Sequence, residues 1–251
     1  MKRLSFFLTA LLLVSSLELM AQVNFTVCTY NVKSFEIENQ ELSGGKSFQM
    51  QFFYDAFRDL NADIYCINEL EILTSRMDQR NLLTDLAAEL GMYSAFGKSY
   101  DKDVGLYGNG LISRFPILSV HSKLLPKPAG SADQRSVMWA DILHPSGQIF
   151  RVVVTHLDHI GGAEDQLRTI AKDESITKTD HPIILMGDMN MGEGQVNYIL
   201  QDNFKCMAFN WVDYIGVASK NGTFTARGRR VESFNSLSDH AAVLTQLTYS
   251  K

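Results

Sequence analysis

Ile183-Ile184-Leu185-Met186-Gly187-Asp188-Met189-Asn190 is the stretch of the chain that decides its fold. Four large apolar residues run together without polar alternation and stop at a glycine and an acid. That pattern reads as a strand buried on both faces, and such a strand needs a layer packed on each side. Asp188 and Asn190 then fall at its carboxyl end.

Outward from this strand, the same texture recurs in both directions. Upstream, Glu164–Asp173 has helical spacing, and Ser136–Leu143 and Gln148–Thr155 flank the turn His144-Pro145-Ser146-Gly147 as a predicted hairpin. Ile117–Ser122 and Gly110–Ser113 read as further strands. Gln79–Leu90 reads as a helix closed by Gly91 in a left-handed cap. Ala62–Ile67 is another buried strand, predicted to stop at Asn68-Glu69. Phe48–Leu60 carries apolar residues at Phe52, Phe53, Ala56, Phe57 and Leu60, the spacing of an amphipathic helix, and Val23–Val32 is a β-branched strand with Asn31 at its end. Downstream come a short helix over Val196–Leu200 and strands over Val212–Ala218, Thr223–Thr225 and Ala241–Leu247. Strands outnumber helices and intermix with them. The expected class is therefore α/β, with two mixed sheets packed face to face and helices outside.

At the N-terminus, Met1-Lys2-Arg3 precedes the apolar stretch Leu4–Leu17, which reads as a secretory signal cleaved after Ala21. The stretch is short for a membrane span, which takes about 20 residues. The expectation is an exported protein, periplasmic or extracellular, with no stable membrane insertion after cleavage: residues 1–21 the signal and 22–251 one domain. The net charge of −5 argues against a broad basic face for nucleic acid, though a local cleft can still be positive. Cys28, Cys66 and Cys206 are too few and too scattered for a disulfide framework or a zinc site, and Cys28 and Cys66 lie in apolar runs that favour buried thiols.

Polar residues with chemistry close the apolar runs: Asn31, Glu69, His156 with Asp158, Asp188 with Asn190, Asp213, and Asp239 with His240. Carboxylates at strand ends without neighbouring Lys or Arg bind a cation or move a proton. Oxygen donors without thiolates suit Mg2+, or Mn2+ or Ca2+, in preference to zinc. Each motif alone also reads as a turn, Gly187-Asp188-Met189-Asn190 as an Asx turn and Ser238-Asp239-His240 as a cap.

Their order carries more weight. Thr29-Tyr30-Asn31-Val32, Asn68-Glu69-Leu70, Tyr107-Gly108-Asn109-Gly110, Thr155-His156-Leu157-Asp158-His159, Gly187-Asp188-Met189-Asn190, Val212-Asp213-Tyr214-Ile215 and Ser238-Asp239-His240 together resemble the endonuclease/exonuclease/phosphatase family from Asn31 to His240. The resemblance implies a four-layered α-β-β-α sandwich with the site in a cleft between the sheets, and hydrolysis of phosphate esters with Mg2+ or a related ion. It implies metal binding by Glu69 and Asn31, with Asp239 helping to hold the ion. Asp188 matches the residue that orients or deprotonates the attacking water, and Asn190 the amide that contacts the phosphate. His240 matches a phosphate-binding imidazole partnered by Asp213, and His156 a second one. Asn109, Arg135 and Asp158 match weaker phosphate-contacting positions. Two departures stand out. Asn68 replaces the usual glutamine before the glutamate, and only 25 positions separate Asp188 from Asp213, which leaves Glu232 as an alternative partner for His240.

Within the family, the resemblance spans nucleases, sphingomyelinase-like phosphodiesterases and phosphatases. The reading taken is a phosphodiesterase or nuclease whose partner is a phosphate-ester substrate, nucleic acid included. A phosphatase of a small phosphomonoester or sugar phosphate is the alternative, and a non-catalytic binding protein retaining the fold the second. Lys98, Tyr100, Lys102 and Tyr107, with Arg227, Arg229 and Arg230, are the residues a nuclease would use to track a backbone, although the arginines also read as a charged hairpin tip. No aromatic-rich hairpin of the kind that enters a membrane surface is evident.

Overall fold

The computed structural model describes residues 22–37, 49–201, 203–234 and 236–251. The signal expected over 1–21, and Phe48 at the expected start of the first helix, lie outside the described residues.

Strand β1 (Gln22–Asn31) is joined through helix α1 (Met50–Leu60) to β2 (Ile64–Ile72), which lies parallel to it, with Asn31 opposite Asn68. The second half of the chain repeats the device. Strand β7 (Ile149–His156) passes through helices α3 (Ala163–Lys172) and α4 (Glu174–Thr177) to the parallel strand β8 (Ile183–Asp188), with His156 opposite Asp188. Helix α2 (Leu82–Leu90) lies between the two halves of this pattern in sequence. A parallel pair needs a crossover, and the crossover helix covers one face of the sheet.

Antiparallel strands extend both pairs. β3 (Tyr93–Lys102) and β4 (Gly105–Ser113) add to β2, while β11 (Thr223–Glu232) and β12 (Ala242–Ser250) add to β1, giving the order β11-β12-β1-β2-β4-β3. In the second sheet, β5 (Ile117–Leu124), β6 (Ser136–Leu143), β9 (Lys205–Asn210) and β10 (Asp213–Ala218) surround the other pair in the order β5-β6-β7-β8-β10-β9. Both sheets are six-stranded with one central parallel pair, so the carboxyl ends of four strands, β1, β2, β7 and β8, carry the site residues.

Three apolar cores make the four layers. Val27, Ile64, Cys66, Val152, Val154, Ile184 and Met186 fill the space between the sheets. Phe53, Phe57 and Leu60 of α1 and Leu83 and Leu86 of α2 pack with Tyr30, Tyr65 and Ile67 on the outside of the first sheet. Leu167 and Ile170 of α3 and Val196 and Leu200 of α5 (Glu193–Leu200) pack with Leu185 on the outside of the second. Along β8, therefore, Ile184 and Met186 face the partner sheet and Ile183 and Leu185 face the helices, which is why this strand shows no polar alternation. Among the described residues, no helix is long and apolar enough to cross a membrane.

The structure departs from the sequence expectations at the sheet edges and at one bulge. β3 is an edge strand with a half-exposed, polar-rich face and shows no apolar run, while β9, the edge of the other sheet, carries the short apolar run 206–209 and is not among the expected strands. β11, also an edge, runs to Glu232, and Arg227, Arg229 and Arg230 lie within it instead of at a hairpin tip. The helix expected from Gln79 begins at Leu82, where the Asn81 side chain accepts from the Thr84 N–H; Gly91 closes it at φ 65° as expected. β2 does not stop at Asn68-Glu69. It continues to Ile72 through an irregularity between Ile67 and Leu70, where Glu69 adopts φ 59°.

Candidate active site

The irregularity in β2 has a consequence for function. Ile67, Asn68 and Leu70 are fully buried, whereas Glu69 lines a cleft of about 460 Å³ at the carboxyl ends of the central strands. A bulge re-aims one side chain without ending the strand.

Across the cleft, the end of β8 is held by three devices. Gly187 has φ 145°, and a Cβ there would lie 1.8 Å from the Thr155 carbonyl oxygen of β7, so only glycine allows this approach. The Asp188 Oδ1 accepts the Asn190 N–H at 2.9 Å, closing an Asx turn that holds Asn190 at φ 48°. The Asp188 N–H donates to Asn68 Oδ1 at 3.0 Å, and the Asn68 amide nitrogen donates to the Thr155 carbonyl at 2.9 Å. Asn68 thus ties the first sheet to the second directly beneath the cleft.

Asp188 Oδ2 is the centre of the arrangement. Asn31 Nδ2 donates to it at 3.1 Å, His156 Nε2 is 3.5 Å away and His240 Nε2 is 3.7 Å away. Asn31 Nδ2 also donates to Glu69 Oε1 at 2.9 Å, linking the two carboxylates through one amide. His240 Nδ1 and Asp213 Oδ2 are 2.9 Å apart, which settles the partner of His240 on Asp213, the first residue of β10; Glu232 instead accepts from Arg230. The Ser238 hydroxyl donates to the Asn31 carbonyl at 2.7 Å and accepts the His240 N–H at 3.1 Å, so the serine of Ser238-Asp239-His240 docks that turn on the end of β1. Asn190 Nδ2 donates to the Leu157 carbonyl at 2.8 Å and lies 3.1 Å from His156 Nε2.

Arg135 is 4% exposed, yet it lines the cleft. Its guanidinium meets His156 Nδ1 at 3.1 Å and His159 Nδ1 at 3.3 Å, and among the described residues its Nε–H has no partner. The other cations of the cleft wall are paired with carboxylates: Lys33 with Asp239, Arg76 with Glu36 and Glu71, and Lys102 with Glu71. Among the described residues no carboxylate pairs with Arg135.

Electrostatics differ sharply between the two histidines. Burial pushes the His156 pKa down, the positive Arg135 beside it and the two other histidines push it further, and it lies well below the ordinary value. For His240 burial also acts downward, but the hydrogen bond and charge of Asp213, with Asp188 and Asp239, outweigh it and the net shift is upward. His156 is thus held in its neutral form, while the shift at His240 is toward imidazolium. Burial raises the Asp188 carboxyl against the lowering effect of His240, and it raises Asp213 to about 6.

Not every residue expected in the site reaches the cleft. Asn109 is buried beneath it and accepts from Asn68 Nδ2 at 2.8 Å. Asp158 is buried too, its oxygens occupied by the Ser131 hydroxyl and the Ile160 N–H. Asp239 is exposed at the rim, 3.9 Å from Lys33. Tyr100, Lys102 and Tyr107 do line the cleft, and Lys98 does not. Asn68, which the motif order sets beside Glu69, is the bridge between the sheets, whereas His159 beside Arg135 and Trp211 against His240 were not legible as site residues, since the His in Asp158-His159 and an aromatic in a turn are weak signals.

A profile of the family described as PGAP2IP, C-terminal nuclease-like domain, matches residues 24–214. The chain belongs to this endonuclease/exonuclease/phosphatase family. Protein cwh43 of Schizosaccharomyces pombe is 29% identical over 142 residues, which is 56% of this chain and 14% of the yeast protein, so the likeness concerns a small part of that relative. Protein YbhP of Escherichia coli is 25% identical over 190 residues, 72% of each chain. Among solved structures, a family member from Bacteroides thetaiotaomicron superposes with a TM-score of 0.70 at 16% identity, covering 91% of this chain and 96% of that one. The mannosyl-6-phosphatase Bt3783 of the same organism gives 0.68 at 17% identity, covering 89% and 99%. These structural likenesses establish the phosphoesterase fold of the family.

The donor set also bears on a metal. Glu69 and Asp188 both accept from the Asn31 amide, neither is ion-paired to Lys or Arg among the described residues, and burial pushes the nearby Cys66 thiol up, away from the thiolate a soft metal would need. This oxygen-rich set fits a hard divalent cation. A second acidic group, Asp188, Asp213 and His240, has one ligand atom from each within 4.8 Å of the others, but His240 and Asp213 already bind each other. Asn31 turns its Nδ2 to both carboxylates and its Oδ1 to the Lys33 N–H at 3.1 Å, so of the residues expected to hold an ion it is Glu69 whose carboxylate lines the cleft.

Proposed function

We propose that the protein is an exported, divalent-metal-dependent hydrolase of phosphate esters, acting on phosphodiesters in preference to monoesters. The observation that carries this reading is Arg135, a buried guanidinium without a carboxylate, beside Asp188, Asn190 and His240 in one cleft. A buried cation is costly unless an anion completes it, and a phosphate oxygen has the geometry its fork accepts. Lys33, Arg76 and Lys102 already face carboxylates, so Arg135 is the wall arginine best placed for a non-bridging phosphate oxygen, and the assay on the two nitrophenyl esters separates diester from monoester.

In this reading Asn190 and Arg135 grip the non-bridging oxygens. Asp188, its carboxyl raised by burial, orients a water and takes its proton as the water oxygen bonds to phosphorus. The ester P–O bond breaks on the side opposite the water and the leaving oxygen takes its proton from solvent, while the His240 imidazolium, favoured by Asp213 and on the same side as Asp188, stabilises the negative charge on a non-bridging oxygen. Neutral His156 accepts from Arg135 and so fixes the guanidinium. A divalent cation held by Glu69 and Asn31, with Asp239, would act there as a Lewis acid on the phosphate oxygens. Export rests on the basic and apolar N-terminal segment of the sequence.

The test is hydrolysis of bis(p-nitrophenyl) phosphate against p-nitrophenyl phosphate, with DNA, RNA and sphingomyelin in parallel, in Mg2+, Mn2+ or Ca2+. Metal-dependent turnover faster on the diester, abolished in a folded Asp188→Ala variant, is the expected result. No turnover with any of these ions would leave only a binding protein; faster turnover of the monoester would return the phosphatase reading.

A further inference from the structure

Trp211 is 63% exposed, yet its ring lies 4.8 Å from the His240 imidazole, centroid to centroid, tilted by 45°. It occupies the two-residue connection between β9 and β10, whose flanking residues Asn210 and Asp213 are paired in register. The backbone at Trp211 has φ 54°, a left-handed conformation that is costly for a bulky side chain and that Gly or Asn adopts cheaply in such a hairpin. Neither burial, nor backbone preference, nor solubility accounts for a tryptophan here. Strain of this kind at the rim of a site points to use.

The connection is also well anchored. The Val212 carbonyl accepts from the Met189 N–H at 2.9 Å, in the turn between Asp188 and Asn190. Arg229 donates to the Phe209 carbonyl at 2.8 Å, and Asp213 holds His240. The indole is therefore presented by a hairpin tied to the reacting centre, and it stands against His240, which lines the cleft.

We propose that Trp211 is a specificity residue, a stacking platform for a flat ring, nucleobase or sugar, carried by the ester group that lies beside His240. The proposal rests on the phosphoesterase reading and names the class of substrate it would prefer. An exposed indole face stacks on a nucleobase or on the apolar face of a sugar ring. Tyr100 and Tyr107 across the cleft are spent on each other, stacked at 4.9 Å, with Tyr107 buried.

Binding separates this from catalysis. The chain has two tryptophans and the other, Trp139, is 5% exposed, so quenching by added ligand reports on Trp211. Wild type, Trp211→Phe and Trp211→Gly are titrated with AMP, mannose 6-phosphate and inorganic phosphate by calorimetry and by tryptophan fluorescence. In the wild type, one or both ring-bearing phosphates should bind about tenfold tighter than inorganic phosphate, the scale of a single stack, and quench the emission. Which of the two gains identifies base or sugar. Trp211→Phe should keep most of that advantage; Trp211→Gly should lose it, bind inorganic phosphate as the wild type does, and melt no lower, since glycine accepts φ 54° freely. Equal binding of all three ligands by the wild type would overturn the platform alone. So would a glycine variant that loses inorganic phosphate and thermal stability together, the mark of a structural role. A wild type that binds no phosphate compound would overturn the phosphoesterase reading and the platform with it.

Discussion

His240 Nδ1 lies 2.9 Å from Asp213 Oδ2, and the two residues belong to different sheets, His240 leading into β12 of the first and Asp213 opening β10 of the second. The pair is both a joint in the sandwich and a charge device. Burial raises Asp213 from 3.8 to about 6, while Asp213 and its acidic neighbours raise His240 above 6.5 despite burial. In the folded chain both groups therefore hold their protons to higher pH than in the unfolded chain. The stability His240 contributes is complete below pH 6.5 and is lost as pH rises through its raised value; that of Asp213 is complete below 3.8 and lost through about 6. Activity needs the opposite state of Asp213. Hydrolysis should rise through about pH 6 as the carboxyls ionise and fall once His240 deprotonates.

Asp213→Asn follows from this sign. It removes a carboxylate that folding disfavours at high pH, so at pH 8 the variant should melt at or above the wild-type temperature, while kcat falls by about 10²- to 10⁴-fold because His240 loses its charge partner. Melting curves at pH 5 and 8, read beside kcat, check it. A variant that unfolds at pH 8 would show that the pair stabilises the fold more than burial costs.

Arg135 carries a similar trade. Arg135→Gln should weaken inhibition by inorganic phosphate about 10- to 100-fold, the scale of a charged hydrogen bond, and leave stability equal or higher because a buried unpaired guanidinium is removed. Arg135→Lys should recover little, since a point charge cannot meet His156, His159 and an oxyanion together. Unaltered phosphate inhibition in Arg135→Gln would take this residue out of the site.

These residues were unequally visible in the sequence. Strands buried on both faces, such as Ile183–Asp188, announce themselves because the core on each side demands apolar residues at every position. The site residues that close such strands, Asn31, His156 and Asp188, were legible for the same reason. Tyr93–Lys102 and the later part of β11 were not, because water on one side and a missing neighbour relax the pattern, and Lys205–Asn210 has only the short apolar run 206–209 to mark it. Glu69 was found as a residue but its bulge was not, since a left-handed glutamate leaves no mark in composition. Asn109 and Asp158 matched by motif order, yet hydrogen-bond partners drawn from distant strands and loops fixed them beneath the surface. Trp211 reaches His240 only through the register of β9 on β10, a long-range pairing that local sequence does not encode.

Gly187 offers a test of how tightly the site is built. At Gly187→Ala, the new Cβ would meet the Thr155 carbonyl at 1.8 Å, forcing β7 and β8 apart at the point where His156 faces Asp188. The expected loss is about 3 kcal/mol or more, overpacking added to backbone strain, with activity lost in whatever fraction still folds. Gly161→Ala is the control, because its φ of 140° is close to that of Gly187 but nothing lies within 4 Å of the new carbon. It should cost only about 1 kcal/mol. Urea melts of the two variants separate crowding from backbone preference, and equal losses would mean that the close approach to Thr155 is not what requires glycine.

The oxygen cluster at Glu69 and Asn31 predicts how metal and stability are linked. A ligand that binds only the folded chain stabilises it by about 2.7 kcal/mol at a hundred times its Kd, which for a domain of this size is a melting shift of about 5 to 10 °C. Protein stripped with EDTA should show such a shift on adding Mg2+ or Mn2+. Glu69→Ala should lose it, and lose turnover, with little change in melting temperature in EDTA, because Glu69 lines the cleft and the Asn31 amide keeps its hydrogen bond to Asp188. Asp213→Asn should keep the shift, because its carboxylate is engaged with His240. If Asp213→Asn loses the metal shift and Glu69→Ala keeps it, the ion belongs to the Asp188, Asp213 and His240 group instead, and His240 would be a ligand rather than the imidazolium that meets the phosphate.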